Sequence, residues 1–158
     1  MDITLDNEQE TITFARKMTS FLRSGDVVLL QGDLGAGKSF LSRQIIQHFA
    51  GAEIEVPSPT FTLVQTYELP SIEIWHFDLY RLSYPDEVIE LGWDEALGQS
   101  LMLIEWPDRL GDLCPENYIE IALSLCDANP DKRRLTMTGY GDMAARVKEL
   151  EEELNATT

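Results

Sequence analysis

Val27-Val28-Leu29-Leu30, followed after Gln31 by Gly32-Asp33-Leu34-Gly35-Ala36-Gly37-Lys38-Ser39, is the stretch on which the fold turns. The first four residues form a short continuous apolar run, half of it β-branched, and such a run reads as a strand covered on both faces. The next eight match G-x-x-x-x-G-K-[ST] at every fixed position. Glycines there let the backbone approach phosphate oxygens and turn successive N–H groups toward them. A helix is expected from Lys38, with Leu41, Ile45, Ile46 and Phe49 on its inner face and Gly51 ending it. Its N-terminus adds about half a positive charge at the same place. Strand, glycine turn and helix in this order are the setting a phosphate-binding loop requires, which weighs against an ordinary βα turn. Lys38 would then reach the β- and γ-phosphates, and Ser39 would offer its hydroxyl to Mg²⁺.

Working outward, Asn7 is expected to cap a first helix, with Glu10 completing a capping box and Ile12, Ala15, Met18 and Leu22 recurring at helical spacing. Pro57-Ser58-Pro59-Thr60 must be a loop. Phe61–Glu68 and Ile72–Phe77 read as a strand hairpin, Pro85–Leu91 as the opening of an acidic helix and Leu101–Ile104 as a second buried strand ended by Glu105-Trp106-Pro107. Tyr118–Leu125 and Arg134–Thr138 alternate like strands. Residues 143–154 form a charged terminal helix striped by Val147, Leu150 and Leu154. The expected fold is α/β: a three-layer P-loop NTPase domain over residues 1–158 with a mixed, partly parallel central sheet.

A P-loop site also needs a carboxylate near the magnesium, at the end of a neighbouring strand. Glu105 and Asp78 both stand at strand ends. Glu105 fits the metal role better because its strand is uniformly apolar, which leaves Asp78 to orient water or a metal-bound water. Thr60 lies in the loop after the P-loop helix, where segments that sense the γ-phosphate occur. His76 alternates within a strand and reads as structural. Arg81 and Arg109 are the only bases in residues 51–110, against 12 acids.

The formal net charge is -16. It argues against direct gripping of a nucleic-acid backbone or an anionic membrane. Cys114 and Cys126 form no CxxC and have no histidine beside them, so no zinc site is expected. The first residues show no basic or apolar leader, and no apolar run nears a membrane span. A cytoplasmic chain with reduced thiols is the expectation.

Four segments in order then carry a resemblance: Gly32–Ser39, Ser58-Pro59-Thr60-Phe61-Thr62-Leu63-Val64, His76-Phe77-Asp78-Leu79-Tyr80-Arg81-Leu82 and Ile104-Glu105-Trp106-Pro107. Over about residues 8–110 the chain resembles the TsaE family of small bacterial P-loop ATPases of tRNA threonylcarbamoyladenosine synthesis. The resemblance implies ATP hydrolysis in concert with TsaB and TsaD, with tRNA reached only through those partners. It implies that Leu34, Gly35, Ala36, Gly37, Lys38 and Ser39 bind the phosphates of ATP, that Ser39 and Glu105 hold Mg²⁺, and that Asp78 and Thr60, with Lys38, serve the hydrolysis. Glu8 falls where the family contacts the nucleotide. Two other classes compete: a small-molecule or nucleotide kinase, disfavoured by the scarcity of bases that could form a lid, and a nucleotide-dependent binding or switch module that needs no turnover. The base-free acidic run Asp86, Glu87, Glu90, Asp94 and Glu95 offers a face for a basic partner.

Overall fold

The computed structural model describes residues 1–156. The chain runs through β1 (Asp2–Leu5), α1 (Glu8–Phe21), β2 (Val27–Gln31), α2 (Lys38–Ala50), β3 (Val64–Glu68), β4 (Glu73–Asp78), α3 (Glu87–Glu90) and α4 (Trp93–Ala96). It continues through β5 (Leu101–Glu105), a 3₁₀ helix (Pro107–Leu113), β6 (Tyr118–Cys126), β7 (Asn129–Tyr140) and α5 (Met143–Ala156). All seven strands join one sheet in the order β1-β7-β6-β2-β5-β4-β3.

The four central strands β6, β2, β5 and β4 are parallel, and β3, β7 and β1 complete the edges antiparallel. Alternate residues of the parallel strands point to two separate cores. Val28, Leu30, Leu101, Leu103, Ile119 and Ile121 pack toward α1, α2 and α5. Val27, Leu29, Met102 and Ile104 pack toward Val88, Trp93 and Leu110 on the opposite face. With helices on both sides neither face meets water, and this is why β2 and β5 read as unbroken apolar runs rather than alternating ones. The result is the expected three-layer α/β fold with a mixed, partly parallel sheet. In α2, Leu41, Ile45 and Ile46 are fully buried as expected; each such side chain contributes about 1.5–3 kcal/mol of burial.

Several elements differ from expectation for identifiable reasons. Asn7 does cap α1, its Oδ1 accepting from Glu10 N at 3.0 Å, but Glu10 turns back to the N–H of Asp6 at 2.6 Å rather than to the cap itself. Phe14, not Ile12, fills the inner face of α1. The strand expected from Phe61 starts only at Val64. Leu63 sits at φ +69°, and its N–H closes a turn on Pro59 O at 2.7 Å. The acidic helix breaks into α3 and α4, which lets both Val88 and Trp93 reach the sheet. Strand β1 gives no local signal, because its partner lies far along the chain, with Ile3 opposite Leu135.

The terminal helix α5 buries Met143, Val147 and Leu150. It is latched by Arg146, whose guanidinium donates to Asp26 Oδ1 and Oδ2 at 2.7 and 3.0 Å and to Phe21 O at 2.7 Å. Among the described residues no helix is long and apolar enough to cross a membrane.

Candidate functional site

Parallel strands place their C-terminal ends at one edge of the sheet, and ligands of open α/β sheets bind at that edge. Here the loop after β2 and the ends of β4 and β5 meet there. Asp78 and Glu105 are register partners at the two strand ends. The loop 32–37 runs from β2 into α2. Ser39, on the first turn of α2, donates its hydroxyl to Glu105 Oε1 at 2.9 Å. Thr60 arrives from the loop after α2 and donates to Asp78 Oδ2 at 3.3 Å, with Ser58 Oγ 2.6 Å from the Thr60 hydroxyl. Asp78 Oδ1 accepts from the N–H of Tyr80 at 3.1 Å. Residues distant in sequence thus line one cleft of about 250 Å³ that includes Lys38, Ser39, Thr60, Asp78 and Glu105.

Lys38 is 5% exposed. Its ammonium donates to the carbonyl of Gly32 and lies 3.5 Å from the centroid of the Trp106 ring. Burial holds its pKa below the ordinary lysine value, against the pull of Glu105 and then Asp78, which favour the charge. Trp106 reaches this position from a left-handed backbone, φ +59° and ψ +52°. That conformation is costly for a bulky residue, and strain of this kind concentrates at functional sites.

Glu8 stands at the start of α1, in a larger cleft of about 580 Å³ on the other side of the loop. Gly35 and Gly37 line both clefts, so the two share the loop as a common wall. The same cleft is lined by Arg133 of β7, whose Nε donates to Ala36 O at 3.1 Å and whose Nη1 donates to Pro130 O at 2.6 Å. Of the loop residues, Leu34 is at the exposed tip while Ala36 is buried. Every site residue expected from the sequence borders one of these two clefts. Arg133 and Trp106, which border the clefts, and His76, buried behind Glu105, were not expected at the site. Trp106 follows Glu105 directly and could have been read from that neighbour. Arg133 had no local signal beyond its place among three consecutive bases, since its contact with the loop spans 97 residues. His76, expected to be structural, sits with Nε2 2.7 Å from Glu105 Oε2.

Chemically, the backbone N–H groups of the loop, the α2 N-terminus and Lys38 make an anion cradle. Ser39 Oγ and Glu105 supply hard oxygen donors suited to Mg²⁺. No cluster of three or more His, Cys, Asp or Glu side chains exists among the described residues to hold a metal alone.

Known proteins share this sequence pattern and fold. The family model described as threonylcarbamoyl adenosine biosynthesis protein TsaE matches residues 5–135. The tRNA threonylcarbamoyladenosine biosynthesis protein TsaE of Rickettsia typhi is 46% identical over 126 residues, covering 80% of this chain and 88% of that protein. The Bacillus subtilis protein of the same name is 35% identical over 150 residues, covering 94% and 90%. A crystal structure of Bacillus subtilis YdiB superposes with a TM-score of 0.80 at 28% identity, covering 97% of this chain and 95% of that one. The P-loop fold implies nucleotide binding, and the chain belongs to the TsaE family of threonylcarbamoyl adenosine biosynthesis proteins.

Proposed function

We propose that the protein is a Mg²⁺-dependent ATPase that acts on the TsaB–TsaD pair in tRNA threonylcarbamoyladenosine modification, in the cytoplasm and without gripping tRNA itself. The observation that carries this reading is the convergence of Lys38, Ser39, Thr60, Asp78 and Glu105 on one cleft at the sheet's C-terminal edge. The residues present fit a magnesium–nucleotide: Ser39 and Glu105 already meet through their oxygens, and both Glu105 oxygens carry a hydrogen-bond donor. Bound there, Mg²⁺ would neutralise charge on the β- and γ-phosphate oxygens.

The chain's own residues divide the remaining work. Loop N–H groups of Leu34 to Ser39 wrap the phosphates. Lys38 exchanges its bond with Gly32 O for phosphate oxygens. The Asp78 carboxylate, held by Thr60 and by the N–H of Tyr80, is placed to accept a proton from an attacking water or to orient it. The nucleoside end leaves over Gly35 and Gly37 into the cleft that Glu8 and Arg133 line.

No arginine lines the Lys38 cleft among the described residues. Arg81 lies over Phe61 and Arg109 over Tyr80. An arginine finger is worth about 10³–10⁵ in rate where present. Hydrolysis by the isolated protein is therefore expected to be slow and to rise when a partner completes the site. The test is ATP turnover measured with and without purified TsaB and TsaD, with and without tRNA, alongside a screen for phosphorylated acceptors. Equal turnover in all mixtures would remove the partner-activation reading, and a phosphorylated small molecule would replace the ATPase with a kinase.

A further inference from the structure

We propose that His76 is a positioning residue that holds the Glu105 carboxylate in its cation-binding orientation, an assignment that rests on the magnesium reading above. Strand alternation puts Ile74, His76 and Asp78 of β4 on the same face, beside Leu101, Leu103 and Glu105 of β5. Ile74, Leu101 and Leu103 belong to the apolar core under α2. His76 thus occupies a core position, 2% exposed, where an aliphatic side chain would pack without any polar cost. Its Nδ1 has no hydrogen-bond partner. A buried polar atom left unpaired in this way asks for an explanation, and packing does not supply one.

The other ring nitrogen does. Nε2 lies 2.7 Å from Glu105 Oε2, with both side chains 2% exposed. A carboxylate oxygen accepts, so at this contact Nε2 is the donor to Glu105 Oε2. Glu105 is consequently gripped from two elements: Oε1 takes the Ser39 hydroxyl from α2, and Oε2 takes His76 from β4. The two bonds have different fates. The Ser39 hydroxyl is itself a cation donor and must reorient its proton when its oxygen turns to the metal. His76 cannot ligate through a nitrogen that already donates to Glu105, so its bond is free to persist and to fix the carboxylate plane in both states. Hydrogen-bond partners of ligating carboxylates act in this way, and their loss typically costs 10–100-fold in metal affinity.

Two substitutions separate this role from a structural one. The amide nitrogen of glutamine can stand where Nε2 stands, whereas that of asparagine corresponds to Nδ1. The probe is Mn²⁺ binding to the full-length protein with ADP, followed by electron paramagnetic resonance. ADP binding and the melting temperature are measured in parallel in EDTA. His76→Asn is expected to weaken Mn²⁺ binding by about tenfold or more. His76→Gln is expected to stay near the parent affinity, and both variants should bind ADP in EDTA as the parent does. Parent-like Mn²⁺ affinity in His76→Asn, or equal loss in both folded variants, would overturn the assignment. Should His76→Asn fail to fold, His76→Gln decides alone: near-parent affinity supports the role, and a tenfold loss overturns it. A parent protein that binds ADP but no Mn²⁺ would overturn the magnesium reading itself, and this proposal with it.

Discussion

Gly32→Ala is the substitution whose cost the structure defines most closely. Gly32 opens the phosphate loop at φ +147°. A Cβ built there would stand 2.5 Å from the carbonyl oxygen of Leu123 and 3.2 Å from the Cβ of Ala36. The nearer contact is backbone of β6, a strand paired on both sides with β2 and β7, so it cannot simply swing away. Two costs add. The backbone conformation is unfavourable for an L-residue by about 1–2 kcal/mol. Relieving the overlap resembles overpacking a core, about 1–3 kcal/mol. Together they predict a loss of about 2–5 kcal/mol, read as a fall in the denaturant midpoint at constant slope. Gly51→Ala is the control. Gly51 also has a left-handed φ, +70°, but an added Cβ meets nothing within 4 Å. It should lose only the conformational part, about 1 kcal/mol. Equal losses for the two variants would refute the view that β6 dictates the first glycine of the loop. Because the displaced loop also carries the carbonyl that holds Lys38, Gly32→Ala should weaken ATP binding while Gly51→Ala should not.

Further expectations follow from the same geometry. Arg133→Ala should weaken ATP binding by about tenfold, as the loss of one charge-assisted contact would, yet leave inorganic triphosphate binding little changed; equal effects on both in a binding titration would remove Arg133 from the nucleoside cleft. Arg146→Ala leaves Asp26 buried without its partner and should destabilise by about 3 kcal/mol in denaturant unfolding, with ATP affinity unaltered. Lys38→Met should bind no ATP. Its stability should also lose one pH dependence. Lys38 titrates below its ordinary value in the folded protein, so between the lowered and the ordinary pKa the unfolded chain binds more protons, and this group makes stability rise with pH. The variant lacks that rise, and parallel alkaline denaturation curves for parent and variant would contradict it.

Much of this protein could be read from its sequence because the deciding information is local. An apolar run of strand length, glycines at fixed spacing and a Lys-Ser pair at a helix start specify a phosphate cradle within 13 consecutive residues, Val27 to Ser39. Glu105 was legible for a similar reason: its strand is apolar throughout, and a carboxylate at the end of such a strand stands out. The terminal stripe of α5 followed from periodicity alone.

What tertiary structure decided depends on segments that meet only after folding. Ser39 and Glu105 are 66 residues apart, and Arg133 and Ala36 are 97 apart. No spacing rule links either pair: the parallel pairing of β2 with β5 brings the first together, and the antiparallel pairing of β7 with β6, beside β2, brings the second. The parallel register of β4 and β5 turned His76 from an ordinary strand residue into the partner of Glu105, because a side chain on one strand reaches its neighbour's face only when the strands are aligned. Strand β1 was hidden for the same reason, its partner being distant, whereas the starting point of β3 is set by the local turn that Leu63 closes on Pro59. Sequence determined which chemistry the chain carries, since residue type and spacing are covalent facts. The sheet decided which of those residues act on one another, since proximity across strands is a property of the fold.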